Sequence, residues 1–529
     1  MNTKFPAISL FDVTGPVMTG PSSSHTAGAV RIGIMGRQIF GGTPEKIDLF
    51  FYGALSGTYK GHLTDSGVVA GLLGQKVDDS GIRTALETAG EKDISVTIHT
   101  DGQSKKNPNT IEMQLSTSKK RQLIVGITLG GGEILIDSID GIKTDLHGKE
   151  DLLLIYGPEK AVEESMRNIP PLDVLNFYRG DTLGSKVLVS IKAKGNEDID
   201  KIKEVTGIEL RTVRSLYDYK LVNPDPLLTS IREALKLCTS LKISLPEAAL
   251  SYEERRSGLS SSEIREKFKK RWVVMTASVD KGLTGPNEMV GKIMGGKDAR
   301  KILDASERNV LISGKVMQRG IAYAIASMET NASMGQVVAC PTAGSCGVIP
   351  GIFRAVSERK GIGTEKIVDA LLVASLFGVL VSMRAAISGA LGGCQSEIGV
   401  ASAMAAAGLA QMTGGSPVVV SEAFALALKS ILGLICDPVA GPVEVPCIKR
   451  NAIGVANALA ACDMALSGLA SIIPPDEVID ALINTQHLLP PELRGSTSGG
   501  LGSTRTGQRL KREWLEKCTG GEKNGHQSQ

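Results

Sequence analysis

The sequence predicts an α+β chain in three parts, because its apolar pattern changes character twice. Residues 1–150 mix helical and alternating periods, residues 151–222 set short strands and helices close together, and residues 223–515 read as helix almost throughout.

The first part carries a helix over about 26–40, then strands at 47–52, 94–99 and 110–115. A hairpin follows in RQLIVGITLGGGEILIDSI, with the glycines at 130 to 132 as its turn. The second part runs strand DLLLIYG, a helix at 159–166, strands VLNFYRG and KVLVSIKA, helix DIDKIKEV and strand ELRTVRSLYDY. That βαββαβ order is the ferredoxin-like split βαβ arrangement. Asn223, Pro224, Asp225 and Pro226 end it, since paired prolines block continuous helix or strand.

In the helical part the stretch 368–412 shows little polar face, which marks buried helices. The charged segment SYEERRSGLSSSEIREKFKKRW reads as a solvated helix, with Ser260 to Glu263 as a start signal. A glycine- and serine-rich stretch at 495–503 leads to a short charged helix and a tail, 516–529.

Composition narrows the class. Of 529 residues 42% are hydrophobic but only 4% aromatic, with 61 glycines, so the core is built from small and aliphatic side chains that let helices pack closely. The net charge of +3, from 59 basic and 56 acidic residues, gives no basis for a nucleic-acid or membrane-surface partner. Eight cysteines form neither a disulfide framework nor finger-like pairs, and reduced thiols of a cytoplasmic protein fit them better. Asp12 interrupts the N-terminus before any signal-peptide run, and the most hydrophobic run, 370–383, is too short to span a bilayer.

Four motifs carry chemistry. GPSSSHTAGAVRIG puts Ser22, Ser23, Ser24 and His25 before a helix start, where unpaired amides suit a carboxylate or phosphate; a solvated helix cap is the equal alternative. KGHLTDSG brings His62, Thr64 and Asp65 together, so that a carboxylate can orient a proton-exchanging imidazole. His147 and His25 are further candidates, each open to a merely structural reading. CPTAGSCGVIPG offers Thr342, Gly344 and Ser345 as a backbone nest for an anion, while Cys340 and Cys346 read as packed small residues. Cys394, Cys436 and Cys447 lie in LGGCQSEIG, GLICDPVAG and EVPCIKR, where neighbouring glycine and proline fix the loops and admit a bulky inorganic group. Their spacing lacks the tight pairs of ferredoxins and leaves metal ligation and buried free thiols at even weight.

Taken in order, GPSSSHTAG, KGHLTDSG, PTAGSCGVIPG, GGCQSEIGVASAMAAAGL and CDPVAGPVEVPC closely resemble the iron–sulfur-dependent L-serine dehydratases. The resemblance implies a 4Fe-4S cluster on Cys394, Cys436 and Cys447, no pyridoxal phosphate, and conversion of L-serine to pyruvate and ammonia. It implies a β domain over 1–150 whose loops contribute to the active site, and an all-helical α domain over 223–515 carrying the cluster. His62 is expected as the base, with His147 assisting or competing and His25 third. Ser22 to Ser24, Thr64, Thr342, Gly344 and Ser345 are expected to hold the substrate. The unit at 151–222 is similar to an ACT domain, though the loop that reads DxPG in typical ligand-binding members reads GPEK here. Related single-chain enzymes cap the open iron with a terminal cysteine, for which Cys518 is the nearest equivalent. A homodimer is implied as well. A related lyase acting on L-cysteine or L-threonine, or a non-catalytic iron–sulfur sensor, are the alternatives.

Overall fold

Serine caps start several of the helices. In the computed structural model, which describes residues 8–167, 174–179, 186–192, 207–285 and 288–520, Ser244 and Ser260 each form a reciprocal cap with the glutamate three residues on. Residues 1–24, 60–62 and 222–529 form one compact unit, and residues 25–59 and 63–221 another.

The first unit is a helical body. Lys315–Ala332 packs against Val348–Lys360 and Cys447–Leu466, while Val400–Met412 packs against Thr364–Ser382 and Pro417–Lys429. Small residues set the spacing: a Cβ at Gly408 would fall 2.9 Å from the Ala370 carbonyl oxygen and 2.3 Å from Phe353 Cζ. Helix Val400–Met412 is buried almost all round, as its lack of a polar face predicts. The charged segment at 251–272 departs from the solvated helix expected of it. It spans two helices, Leu245–Ser257 and Ser261–Thr284, in which Tyr252, Glu253, Arg256, Phe268, Arg271 and Trp272 are buried. The charges line only part of each helix, and an arginine can enter a core where its donors are met: Arg271 Nε donates to the Thr14 carbonyl at 2.8 Å.

The first residues of the chain are woven into this body. Strand β1 (Val17–Thr19) pairs antiparallel with Gln336–Val338. Ser9 Oγ and the Leu10 amide donate to the two carboxylate oxygens of Glu253, at 2.8 and 2.9 Å.

The second unit holds two sheets. Strands β2 (Lys46–Tyr52), β3 (Ser95–Asp101), β4 (Thr110–Ser116), β5 (Arg121–Gly130), β6 (Glu133–Ile139) and β7 (Ile142–Leu146) form one of six strands in the order β3-β2-β4-β5-β6-β7. Only the β2/β3 pair is parallel. The β5–β6 hairpin turns where expected, through Gly130, Gly131 and Gly132, all at positive φ. Helices Gly28–Phe40 and Thr64–Leu72 meet glycine to backbone: a Cβ on Gly33 would lie 2.2 Å from the Val68 oxygen, and one on Gly71 2.1 Å from the Val30 oxygen.

The second sheet contains β8 (Leu152–Pro158), β9 (Val174–Arg179), β10 (Lys186–Lys192) and β11 (Glu209–Val213), all antiparallel, in the order β11-β8-β10-β9. Helix Glu159–Arg167 follows β8 directly. The helix expected in DIDKIKEV lies outside the described residues. Among the described residues no helix is long and apolar enough to cross a membrane.

Candidate functional site

Each of the three cysteines is carried by a different local device of the helical unit. Cys394 follows Gly392 and Gly393, the latter at φ +80°, and opens a wide turn, Gln395–Gly399, that runs into helix Val400–Met412. A Cβ on Gly392 would lie 2.0 Å from Ser396 Oγ, so the tight turn needs glycine there. Cys436 lies in an extended segment bonded on both sides, its amide to the Leu493 oxygen at 2.8 Å and its oxygen to the Gly495 amide at 2.7 Å. Cys447 is the first residue of helix Cys447–Leu466, after Pro446.

The first two of these devices bring their thiols together, with Cys447 near enough to act on both electrostatically. Cys394 Sγ, Cys436 Sγ and a carboxylate oxygen of Glu397 lie within 4.8 Å of one another. Cys394 and Cys436 are 2% and 8% exposed, whereas Glu397 and Cys447 are only half-buried. The Cys394 contact, followed by burial, drives the Cys436 thiol well up. Burial does the same to Cys447, helped by the neighbouring Cys394 and Glu397. A Cβ on Gly389 would fall 2.5 Å from Glu397 Oε2 and 2.9 Å from Cys436 Sγ, so only glycine leaves this corner open.

Polar partners fix the loops. Arg450 Nη1 donates to Cys394 Sγ at 3.4 Å and to the Ile435 oxygen at 2.9 Å and forms an ion pair with Asp437 Oδ1 at 2.8 Å, and the Leu501 amide donates to Asp437 Oδ2 at 2.8 Å. Glu444, three residues before Cys447, accepts from the Gly291, Ile293 and Met294 amides at 2.7, 2.9 and 2.9 Å. Asn451 ties the start of the Cys447 helix to the 340–347 loop, donating to the Gly344 oxygen at 2.8 Å and accepting from the Gly347 amide at 3.1 Å.

That loop joins the site through Thr342, whose hydroxyl donates to Glu397 Oε1 at 2.8 Å. It also reaches the serine loop, the Ala343 amide donating to Ser23 Oγ at 3.2 Å. The amides of Thr342, Ala343, Ser345, Cys346 and Gly347 all have protein acceptors. The open nest that glycine-rich sequence allows is therefore closed largely on itself, because residues 343–345 coil into a short 3-10 turn. Cys340 and Cys346 are packed elsewhere in the same unit, with thiols that burial pushes up to about 12.

His62 belongs to the helical unit, half-buried at the end of helix Ala54–His62; its neighbour Gly61 lies against Pro442 and Trp514. His25, Thr64 and His147 belong to the second unit. Burial lowers His25 to about 4 against a hydrogen bond with Asn109 Oδ1 at 3.4 Å, so its ring is neutral at pH 7. Thr64 opens helix Thr64–Leu72, and its buried hydroxyl has no hydrogen-bond partner among the described residues. His147 is partly exposed, with Nδ1 3.0 Å from the Ile134 oxygen and Nε2 3.1 Å from Asp145 Oδ1. Cys518 falls in helix Arg505–Gly520, but its side chain lies outside the described residues, as does the tail from 521.

Sequence reasoning missed Glu397, Asp437, Arg450 and Asn451. The signal for two of them was spacing: Glu397 follows Cys394 by three residues and Arg450 follows Cys447 by three, which puts each pair on one helical face.

The chain resembles known proteins along most of its length. Residues 240–502 match the family described as serine dehydratase alpha chain, and residues 9–132 the one described as serine dehydratase beta chain. "L-serine dehydratase 1" of Escherichia coli (strain K12) is 30% identical over 518 residues, covering 93% of this chain and 98% of that protein. "Probable L-serine dehydratase, alpha chain" of Bacillus subtilis (strain 168) is 41% identical over 284 residues, covering 54% and 94%. "L-serine dehydratase, alpha chain" of Peptoniphilus asaccharolyticus is 36% identical over 290 residues, covering 55% and 99%. With both matched regions on one polypeptide and a relative aligned end to end, the chain belongs to the serine dehydratase family in its single-chain form.

Proposed function

We propose that this chain is an L-serine ammonia-lyase that holds a 4Fe-4S cluster on Cys394, Cys436 and Cys447 and releases pyruvate and ammonia. The meeting of Cys394 and Cys436, with Cys447 near enough to act on them electrostatically, in the region that matches the alpha chain supports the reading. The donor set fits such a group: soft thiolates suit iron–sulfur clusters, and Gly389 leaves the space beside Cys436 clear. When bound, the cluster supplies a Lewis-acidic iron without a protein ligand, suited to the substrate hydroxyl.

The protein's own groups supply the rest. His62 accepts the Cα proton on an imidazole nitrogen, the electron pair left at Cα forms the Cα–Cβ double bond as the Cβ–O bond breaks, and the imidazolium returns that proton to the departing hydroxide, so that one water is lost. The aminoacrylate then tautomerises to an imine, which takes up water to give pyruvate and ammonia. Ser22 to Ser24, Thr64, Thr342, Gly344 and Ser345 hold the substrate. His147 competes with or assists His62, and His25 contributes a neutral ring. Cys518 would supply a displaceable thiolate to such a cluster. The reading includes a cytoplasmic homodimer that uses no pyridoxal phosphate; a monomer mass in light scattering would overturn the dimer.

Anaerobically reconstituted protein is expected to contain iron and sulfide and to make pyruvate from L-serine. Preference for L-threonine, or sulfide release from L-cysteine, would move the assignment to a related lyase, and a loaded chain with no turnover would point to a sensor. Replacing His62 with alanine is expected to preserve the cluster spectrum and abolish turnover, whereas normal turnover would remove it as the base.

A further inference from the structure

Glu397 brings a carboxyl group into the site with only neutral protein partners, and burial raises it above the usual carboxylate range. Its Oε1 accepts the Thr342 hydroxyl at 2.8 Å, and the Gly389 amide is its other donor. Among the described residues it has no cationic partner. Arg450, the cation at the cysteines, is already bonded to Asp437, the Ile435 oxygen and Cys394.

The carboxylate is also reachable. It is half-buried while Cys394 and Cys436 beside it are almost fully covered. Glycines flank both oxygens: a Cβ on Gly344 would lie 3.3 Å from Oε1, and one on Gly389 2.5 Å from Oε2. A carboxylate accepts about four hydrogen bonds, and two neutral donors leave half of that capacity open. A carboxylate drawn partly out of water without a counter-charge is unfavourable, and a bound cation relieves it.

We propose that Glu397 receives the α-ammonium group of the substrate, and so makes the site select amino acids over hydroxy acids. This rests on the dehydratase reading and deepens it. Ligation of iron by Glu397 would instead close the corner which that reading leaves free.

The test compares the anaerobic holoenzyme with Glu397→Gln, titrating each with L-serine and with 3-hydroxypropanoate, which lacks the ammonium. Binding is read from the change in the cluster's absorption and electron paramagnetic resonance spectra. The variant is expected to keep its iron and its substrate-free spectrum, to bind L-serine about 10- to 100-fold more weakly, and to bind 3-hydroxypropanoate as the parent does. Glu397→Asp, which keeps the charge but shortens its reach, is expected to show a smaller loss confined to L-serine. Equal loss of both ligands, or unchanged L-serine affinity, would overturn the assignment. So would loss of iron or an altered substrate-free spectrum in Glu397→Gln, because the carboxylate would then be a cluster ligand. A parent holoenzyme that binds no L-serine would instead remove the dehydratase reading, and this proposal with it.

Discussion

Arg450 and Asp437 form an ion pair at 2.8 Å in which the aspartate side chain is 2% exposed and the arginine 16%. Removing one partner of such a pair leaves a charge with neither water nor counter-ion. Arg450→Leu is therefore expected to cost about 3–5 kcal/mol, read as a lower urea midpoint. The double replacement Arg450→Leu with Asp437→Asn is expected to recover part of that loss, because no bare carboxylate remains.

His25 links stability to pH in one direction. Burial lowers it from 6.5 to about 4, so between those values the unfolded chain binds a proton that the folded chain does not. Its contribution is complete above pH 6.5 and shrinks as pH falls toward 4, by about 3 kcal/mol over the window. Urea midpoints measured across this range are expected to fall less steeply toward acid in His25→Gln than in the parent.

Glu253 works in the opposite sense. Burial raises its carboxyl from 4.5 to about 7, against the hydrogen bonds from Leu10 and Ser9, so the folded chain binds the extra proton. That contribution is complete below pH 4.5 and is lost as pH rises through 7. Glu253→Gln is expected to flatten the decline between pH 4.5 and 7, read by the same denaturation series.

Gly408 sits where helix Val400–Met412 meets the Ala370 carbonyl and the Phe353 ring. Alanine there forces a shift in a packed core, and Gly408→Ala is expected to cost about 1–3 kcal/mol despite alanine's better helix propensity. A rise in thermal midpoint would show that the helices have slack.

Legibility in the sequence followed the range of the forces involved. Ser260 with Glu263, and the glycines at 130–132, are local devices whose effect is complete within a few residues, and both act as their spacing predicts. Strand β7 has only five residues, too few for its alternation to stand out. The segment at 251–272 looked solvated because charge count ignores which side faces the core; Arg271 is buried by an acceptor 257 residues away in sequence. The cysteine loops were visible through their glycines and prolines. Glu397 was overlooked because its meaning depends on Thr342, a contact across 55 residues.

The pairing of β1 with Gln336–Val338 has a consequence for how the polypeptide can be divided. The region that matches a beta chain begins at residue 9, yet its first stretch completes the helical body. A break engineered between 133 and 239 would separate the two matched regions but would not release two finished bodies. The C-terminal fragment would lack a strand, and the N-terminal fragment would carry that strand as a sticky arm. Co-expressed halves are thus built to find each other, with residues 9–24 as the splint.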